Sequence, residues 1–519
     1  MGLFQTRANA WSFGSKPLKY PLMHALPNVT SPAALLFLTT VLSDLWEMAE
    51  HKKHIAFKGK ILILGFGAVG QGTLPLLLRH IDMPKENVSI ITAEDWGREI
   101  AEEYGVAFRV EPFTPENYLR ILNQELKAGD FLFNASFDVS SLALIDYCSE
   151  NGIMYLDACI EPWAGGHRDT TIPASRRTNY AFREAALAMR KKYPNGPPVV
   201  LMHGANPGLV SHFLKQALLN LARDTGGQAT VPTSKETWAR LARDLGVKVV
   251  QIAERDRQVG KTRKQWGEFV NTWSSGAFVG ESLQPAELGW GTHERHWPHE
   301  GMEFGFGCGS SIYLNRPGCS TRVRSWVPHQ GPFHGWLISH GEAHSIPDYF
   351  TVRENGKVVY RPTCYYAYHP CDDAVLSLHE MVGHNHVMQE RTRLLRDDIA
   401  DGFDELGVLL LGHAKGAYWY GSQLTIHEAR RLCPHNNATS LQVNAPALGA
   451  VIWAMRNPTA GIVEPDDIDF RTVLEVAMPY LGPVVGVYSD WTPLIERGKL
   501  YPEDVDWDDP WQFKNFRVV

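Results

Sequence analysis

The sequence predicts an α/β fold in which a mostly parallel sheet is followed by a second, α+β domain. Two observations carry this prediction. A glycine-rich turn, Gly65 to Gly70, lies between a short apolar run and a helical pattern, which is the context that a dinucleotide-binding fingerprint requires. Strand-like apolar runs then alternate with helical stretches, and such βαβ repetition is typical of parallel strands with right-handed crossovers. The first half is therefore predicted to be a Rossmann dinucleotide-binding domain.

The elements of this domain follow in chain order. Residues 60–64 form the first strand, and Leu74 to Leu78 continue a helical pattern as far as His80, with a local cost at Pro75 because proline has no amide hydrogen. Later strands are predicted at residues 88–91, 107–110, 131–133, 153–156 and 199–202.

Each glycine of the turn has a different expected use. Gly65 permits the tight turn, Gly67 lets the backbone approach a pyrophosphate, and Gly70 allows the helix to pack closely on the strand. The helix amino terminus at Ala68 and Val69 would present unpaired amide groups to the phosphates.

The identity of the cofactor depends on the end of the second strand. Thr92 stands where a carboxylate for the ribose hydroxyls is expected, and Glu94 and Asp95 follow shortly after. Only Arg98 is placed to meet a 2′-phosphate. The sequence favours NAD over NADP, with Glu94 as the ribose ligand.

Chemistry is expected after the strands, because ligands of open parallel sheets bind in the crevice beyond the carboxyl ends of the strands. The segments at that edge deliver polar groups towards the nicotinamide end of a bound cofactor. The candidates are Asn134 and Ser136, Glu161, and the pair Asn206 and Pro207.

The second half, from about residue 210, contains long helices, a hairpin at Glu354 to Lys357 and a strand at residues 322–326. Acidic and aromatic residues are concentrated there, and seven of the 16 tryptophans fall between Trp238 and Trp336. Carboxylates and indole faces together suit small polycations. The run from Ala253 to Asp256 has a charge-rich, helix-like pattern that is typical of a solvated face.

Composition excludes several other classes. The chain has 519 residues with 50 Lys and Arg against 57 Asp and Glu, a formal charge of −7, and no basic clusters. This argues against nucleic acid as a partner. The apolar run Ala33 to Leu42 is shorter than the roughly 20 residues that a membrane span needs, so neither a membrane anchor nor a secretory signal is expected.

The seven cysteines lack a CxxC spacing, which indicates a reducing compartment, the cytoplasm. Cys364 and Cys371, which bracket His369, are expected to be packed core residues, and His293, Glu294 and His296 are expected to be surface polar residues. No metal is therefore expected. Residues 1–47 are predicted to be a loosely ordered extension, with the functional chain beginning near Met48.

Several segments, in order, resemble the bacterial homospermidine synthases of the saccharopine-dehydrogenase-like group. They include GFGAVGQGTLPLLLRH, EPW, GANPGLVSHFLKQAL, NTWS, LQPAELGWGT and RPTCYYAYHPCDDAVLSLHEM. The resemblance covers the chain from about His54 to its end. It implies redox-neutral use of NAD, in which two putrescine molecules give homospermidine and ammonia through imines. It also implies related diamines or polyamines as ligands, and a homodimer formed through the middle domain.

The resemblance also implies roles for individual residues. Glu161 is similar to a carboxylate that holds the inner amine, Asn206 to the amide that positions substrate against the nicotinamide, and Glu254 to the central carboxylate that shuttles protons. Trp273 is similar to the aromatic residue that faces the cationic intermediate. Glu281, His340 and Asp404 are similar to further amine contacts. Ser275 departs from the family pattern, which is often acidic at that position.

The resemblance further implies a discontinuous first domain. Residues 48–210 would be completed by about 435–519, including an apolar helix at residues 440–455, and residues 211–434 would form the substrate-binding and dimerisation domain. Two alternatives stay open at this stage: an NAD(P)H reductase of the carboxynorspermidine, carboxyspermidine or saccharopine type, and a non-enzymatic dinucleotide-binding regulator. The reductase would need cationic residues for a substrate carboxylate, and the regulator would lack the central site residues.

Overall fold

The computed structural model describes residues 51–227 and 230–519. The predicted extension over residues 1–47 lies outside the described residues. The strands of the first half are β1 (Ile55–Ala56), β2 (Ile61–Leu64), β3 (Ile81–Asp82), β4 (Val88–Thr92), β5 (Ala107–Val110), β6 (Phe131–Asn134), β7 (Met154–Asp157) and β8 (Val199–Val200). The helices are α1 (Ala68–His80), α2 (Arg98–Tyr104), α3 (Tyr118–Glu125), α4 (Ser141–Glu150), α5 (Asn179–Ala188), α6 (Leu209–Asp224) and α7 (Lys235–Asp244).

Within these residues, the first half builds a parallel sheet in the order β8-β7-β6-β2-β4-β5. Successive residues of β2 supply two different cores, with Ile61 and Ile63 on one face of the sheet and Leu62 and Leu64 on the other. A strand buried on both faces needs a continuous apolar run. This is why the apolar runs of the sequence locate the sheet to within one or two residues.

The second half continues with β9 (Val249–Asp256), β10 (Val259–Gly260), β11 (Glu268–Asn271), α8 (Ser275–Leu283), β12 (Pro285–Gly289), β13 (Gly301–Glu303), β14 (Ser311–Pro317), β15 (Arg322–Val327), β16 (Gly331–Ile338), α9 (Glu342–Tyr349), β17 (Val352–Glu354), β18 (Lys357–Tyr360), β19 (Thr363–His369), α10 (Asp372–Gly383), β20 (Arg391–Leu394), β21 (Ile399–Asp401), β22 (Phe403–Leu411) and β23 (Ala417–Thr425). The carboxyl-terminal elements are α11 (Ile426–Leu432), α12 (Ala438–Arg456), β24 (Ile462–Val463), α13 (Phe470–Ala477), β25 (Val484–Ser489), α14 (Phe513–Phe516) and β26 (Arg517–Val518).

The main sheet of the second half is mixed, and its central path runs β13-β14-β12-β19-β9-β22-β23-β25. Strand β9 pairs in parallel with β19 and antiparallel with β22. The side chains of Glu254 and Asp256 share one face of β9 with Ile252, because successive side chains point to opposite faces. The helix-like interpretation of this run was wrong: Glu254 lies in a strand and is only 2% exposed.

The carboxyl-terminal segment is divided between the two sheets. Helix α12 packs against α1, and β24 extends the parallel sheet beside β8. In contrast, β25 pairs with β23, and β26 pairs with β15. The predicted completion of the first domain by residues 435–519 stays a prediction; within this segment, β24 is the strand that joins the parallel sheet. The predicted hairpin corresponds to β17 and β18.

One hydrophobic core connects the halves. It includes Leu74 of α1, Phe213 of α6, Ile252 of β9 and Leu441 of α12. The carboxyl edge of the parallel sheet is consequently held against the Glu254 face of β9. No helix in the described ranges is long and apolar enough to cross a membrane.

Candidate active site

A cavity of about 520 Å³ lies between the carboxyl edge of the parallel sheet and the face of β9 and β19 that carries Glu254 and Tyr366. Of the predicted site residues, those that line it are Gly65, Gly67, Ala68, Val69, Glu94, Asn134, Ser136, Asn206, Glu254, Trp273, Glu281 and His340. Gly70, Glu161, Pro207 and Asp404 do not line it.

The glycine turn has the geometry of a pyrophosphate cradle. Gly65 has φ +83°, and a Cβ there would lie 2.7 Å from the Ala135 carbonyl oxygen. A Cβ on Gly67 would meet nothing within 4 Å, whereas one on Gly70 would lie 2.5 Å from the Gly65 carbonyl oxygen. Open space at Gly67 on the cavity wall fits a dinucleotide, because phosphates bind at such helix amino termini. Gly70 acts through packing, which is why it lies off the cavity.

The far end of the cavity is bounded by Thr92, Glu94 and Trp96. Asp95 is engaged by Arg98, whose Nε donates to Asp95 Oδ1 at 2.7 Å. The Arg98 guanidinium also lies 4.8 Å from the centroid of the Phe108 ring. Of Glu94 and Asp95, Glu94 is therefore the one that lines the cavity, where it would accept from ribose hydroxyls and repel a 2′-phosphate.

Asn134, at the end of β6, is held by a buried chain of hydrogen bonds. Its Nδ2 donates to the Tyr155 hydroxyl at 3.0 Å, and that hydroxyl donates to Asp157 Oδ2 at 2.9 Å. Ser136 donates to Asn134 Oδ1. Asp157 also accepts from the Met202 amide at 2.6 Å, and burial raises its pKa to about 7. These hydrogen bonds fix the orientation of the Asn134 amide beside the glycine turn.

The centre of the cavity contains Glu254. Its Oε2 accepts from Asn206 Nδ2 at 2.9 Å and from the Tyr366 hydroxyl at 2.7 Å. Burial raises the pKa of Glu254 to about 7, with Asp256 adding to the rise and the two donors opposing it. A carboxyl group with such a pKa can accept and return a proton near neutral pH.

Two further carboxylates lie behind Glu254. Asp256 and Asp404 face each other across β9 and β22. Thr272 Oγ1 donates to Asp256, and Thr439 Oγ1 donates to Asp404. Burial raises the pKa of Asp404 well above its usual range, and Glu254 and Asp256 raise it further. Thr439 lines the cavity, so Asp404 lies one side chain away from it.

The Trp273 indole forms one wall of the site. Its Nε1 donates to the Tyr368 hydroxyl at 3.0 Å, and its ring lies 5.3 Å from that of Phe278. Tyr366 and Tyr368 stack with ring centroids 5.1 Å apart. The tyrosines of β19 therefore hold both Glu254 and Trp273 in place.

His340 follows β16 and lies between two carboxylates. Its Nε2 is 3.0 Å from Glu281 Oε2, and its Nδ1 is 3.5 Å from Glu342 Oε1. Burial opposes the charged imidazolium, but Glu281 and Glu342 outweigh it and raise the pKa of His340 to about 10. At neutral pH the His340 cation therefore lies between the side chains of Glu281 and Glu342, of which Glu281 also lines the cavity.

Glu161 is buried behind the wall formed by Cys159 and Asp138 rather than on it. Its Oε2 is 3.2 Å from His167 Nε2, and the Cys159 thiol donates to its Oε1 at 3.6 Å. Burial opposes protonation of His167, but the hydrogen bond and the charge of Glu161 outweigh burial and raise the pKa of His167. The structure therefore pairs Glu161 with His167 beside the cavity.

Sequence reasoning missed Tyr366, Tyr368 and Asp256 as members of the site. Alternation along β19 was the available signal, since Tyr366 and Tyr368 are two residues apart in a tyrosine-rich run. That signal could be used only once the segment was assigned as a strand.

The lining is acidic. None of the described residues that line the cavity is Lys or Arg, whereas Glu94, Glu111, Asp138, Glu254 and Glu281 are carboxylates. No group of three or more His, Cys, Asp or Glu side chains in residues 51–227 and 230–519 could hold a metal ion. The cavity is therefore suited to a cationic ligand.

Two expectations about residues outside the cavity have different outcomes. Cys364 and Cys371 are buried and free, as predicted. The surface interpretation of Glu294 was wrong, because its buried side chain accepts from Thr363 Oγ1 at 2.6 Å and from the Phe513 amide at 2.9 Å.

Comparison with known proteins assigns the chain to a family. Residues 61–201 match the saccharopine dehydrogenase NADP binding domain, and residues 204–487 match the saccharopine dehydrogenase C-terminal domain. The chain is 52% identical over 464 residues to the homospermidine synthase of Blastochloris viridis, covering 89% of this chain and 97% of the relative. The chain belongs to the homospermidine synthase family.

Two other members of the homospermidine synthase family support this assignment. The enzyme of Mesorhizobium japonicum is 48% identical over 473 residues, which cover 89% of this chain and 96% of the relative. The crystal structure of the Legionella pneumophila homospermidine synthase in complex with NAD has a TM-score of 0.85 and 48% identity, covering 90% of this chain and 99% of that chain.

Proposed function

We propose that this chain catalyses NAD-dependent synthesis of homospermidine from putrescine. A carbon that bears an amine of one putrescine loses hydride to give an imine, the amine of a second putrescine adds, and ammonia leaves. Return of the hydride reduces the new imine. Two putrescine molecules thus give one homospermidine and one ammonia, with no net oxidation.

One observation carries the proposal: the hydrogen-bonded Asn206–Glu254 pair beside Trp273, in a cavity without Lys or Arg among its described lining residues. Diamines and iminium ions are cations, and carboxylates and an indole face attract them. Membership of the homospermidine synthase family supports the same substrate.

The residues present fit NAD, as the open space at Gly67 and the free Glu94 carboxylate indicate. Gly65, Gly67, Ala68 and Val69 would hold the pyrophosphate, and Glu94 the ribose. Asn134 and Ser136 would approach the nicotinamide end. When bound, NAD supplies a reversible hydride acceptor for the carbon that bears the reacting amine.

The central residues would manage protons and positive charge. Glu254, with its pKa near 7, accepts a proton from the reacting amine and returns it to the departing ammonia. Asn206 holds both the substrate nitrogen and the Glu254 carboxylate. The Trp273 face stabilises the positive charge of the imine.

The distal ammonium groups need anionic partners. Glu281, with His340 beside it, would take one of them, whereas Glu161 would act on the inner amine through the wall formed by Cys159 and Asp138. Asp404 would act through Thr439 rather than by direct contact.

A reductase of the carboxynorspermidine, carboxyspermidine or saccharopine type is disfavoured by the same lining. Its substrate carries a carboxylate, which would meet Glu254 and Glu281 without any Lys or Arg among the described lining residues. Such an enzyme would also consume reduced cofactor stoichiometrically. A regulator without catalysis would have no need for a buried proton acceptor next to the glycine turn.

The proposal extends to a homodimer in the cytoplasm that acts without nucleic acid. The dimer rests on the resemblance to the family. The reducing compartment is supported by seven cysteines that are all free. Light scattering on the purified protein should give twice the chain mass of 58.2 kDa; a mass of 58.2 kDa would refute the dimer.

The experiment that tests the function is incubation of purified protein with putrescine and a catalytic quantity of NAD⁺. Homospermidine and ammonia should form in equal amounts, far exceeding the NAD⁺ added. Glu254→Gln is the matched control, because it keeps the size of the side chain and removes the proton acceptor. Failure to form either product, with NAD shown to be bound, would overturn the proposal.

A further inference from the structure

Arg396, which lies between β20 and β21 in the second half of the chain, reaches the cofactor end of the cavity. Its guanidinium carbon lies 5.2 Å from the centroid of the Trp96 ring. Its Nη1 donates to Gln71 Oε1 of α1. Trp96 lines the cavity beside Glu94 and is 42% exposed.

Gln71, which accepts from Arg396, is also hydrogen-bonded to the glycine turn. Its Nε2 donates to the Phe66 carbonyl oxygen at 2.7 Å, inside the turn that would hold the pyrophosphate. The loop of Trp96 packs closely on the same side chain, since a Cβ on Gly97 would lie 2.5 Å from Gln71 Nε2. One guanidinium therefore connects two walls of the cofactor end.

The turn that presents Arg396 is itself fixed. The Arg396 carbonyl oxygen accepts from Arg430 Nη2 at 2.8 Å, and its amide donates to Asp398 Oδ1 at 3.1 Å. The Arg396 side chain is 21% exposed. A planar guanidinium held in this way can stack on an indole and donate to an amide at the same time.

We propose that Arg396 is a cofactor-retaining residue, which slows dissociation of NAD(H) by holding the Trp96 loop and the glycine turn together from the second half of the chain. The inference rests on the proposed function, because a hydride that is removed and then returned requires the reduced cofactor to stay bound between the two steps. Arg396 acts through Trp96 and Gln71 and does not take part in the chemistry.

The test measures dissociation of NADH by stopped-flow fluorescence, with excess NAD⁺ as the chase and no putrescine present. Loss of a cation–π contact and of a hydrogen bond should make NADH leave Arg396→Ala about tenfold faster. Arg396→Lys should be intermediate, because lysine keeps the charge but lacks the planar guanidinium. Arg257→Ala is the matched control, since the Arg257 guanidinium lies 5.2 Å from the centroid of the Phe403 ring, outside the cavity. NADH should dissociate from this variant at the wild-type rate.

A double-mutant cycle with Trp96→Ala tests whether Arg396 slows NADH dissociation through its contact with Trp96. Once Trp96 is alanine, removal of Arg396 should accelerate dissociation by much less than tenfold. An unchanged rate in Arg396→Ala, or an equal acceleration with and without Trp96, would overturn the inference. The proposed function fails differently: wild-type protein would then bind no NADH, or bind it and still make no homospermidine.

Discussion

Asn206 Nδ2 donates to Glu254 Oε2 across 2.9 Å, joining the loop after the last strand of the amino-terminal half to the first strand of the second sheet. Both residues line the cavity. A substrate that lies against this pair would therefore lie between the glycine turn of the first half of the chain and the carboxylates of the second half. Under the proposed function, hydride and proton transfers would be coordinated at this bond.

The pH dependence of turnover should depend on Glu254. As its pKa is about 7 in the free protein, kcat/KM for putrescine should rise with pH through about 7, where the carboxyl group becomes able to accept a proton. A bound ammonium group favours the carboxylate, so the same limb in kcat should lie at lower pH. Steady-state kinetics between pH 5 and pH 9 would check both limbs.

Glu254→Gln provides the control for this assignment. It should retain NAD and lose about 100-fold or more of turnover, since glutamine cannot accept a proton. The residual kcat/KM should lack the limb near pH 7. A variant that keeps this limb would assign it to another group, such as Asp157.

Trp273→Ala should lower kcat by about tenfold while NAD binding stays close to normal. The change removes the indole face from the charged imine without touching the glycine turn, and such faces contribute up to about 2 kcal/mol. Trp273→Phe keeps an aromatic face and loses the hydrogen bond to Tyr368, so its kcat should be intermediate. Trp266→Ala, at a side chain that is 79% exposed, should behave as wild type. Near-normal turnover in Trp273→Ala would refute the role.

The parallel sheet could be predicted because its signals are local. A buried parallel strand needs an apolar run, and the three glycines each meet a steric demand visible in the spacing. In the structure, a Cβ on Gly70 would clash with the Gly65 carbonyl oxygen, whereas the space at Gly67 is open. The pairing of Arg98 with Asp95 is a side-chain contact that the sequence does not display, and the role of Glu94 as the ribose ligand stays a prediction.

The acidic half of the site depends on non-local pairing, which a single sequence does not display. The sequence pattern predicts a helix-like run at Glu254, because charges in Ala253 to Asp256 mask the alternation of the strand. Its place between β19 and β22 brings Tyr366 and Asp404 to it from more than 100 residues away. The split of the carboxyl-terminal segment between two sheets is non-local for the same reason.

His340 should make stability fall at alkaline pH. Its pKa is 6.5 as an isolated side chain and about 10 in the folded protein, where Glu281 and Glu342 overcome burial. The folded state therefore retains a proton that the unfolded state releases, so this contribution is complete below pH 6.5 and is lost as pH rises through 10. Urea unfolding at pH 7, 8.5 and 10 should show a steeper decline for wild type than for His340→Gln. Parallel declines would show that His340 is not protonated in the folded protein.

Gly67→Ala and Gly70→Ala should separate cofactor binding from folding. At Gly67 a methyl group meets nothing within 4 Å and the backbone has φ −80°, so the melting temperature without NAD should stay near that of wild type. The methyl group would occupy the approach to the pyrophosphate, however, and NAD affinity should fall by about tenfold or more, as measured by calorimetry.

At Gly70 the order of effects reverses. A Cβ 2.5 Å from the Gly65 carbonyl oxygen forces helix α1 away from β2, and overpacking of this kind costs about 1–3 kcal/mol. Gly70→Ala should therefore unfold at lower temperature even without NAD, and its weaker NAD binding should follow from the displaced turn. If Gly67→Ala bound NAD normally, the dinucleotide would not pass over Gly67, and the cofactor site would have to be placed elsewhere along the sheet edge.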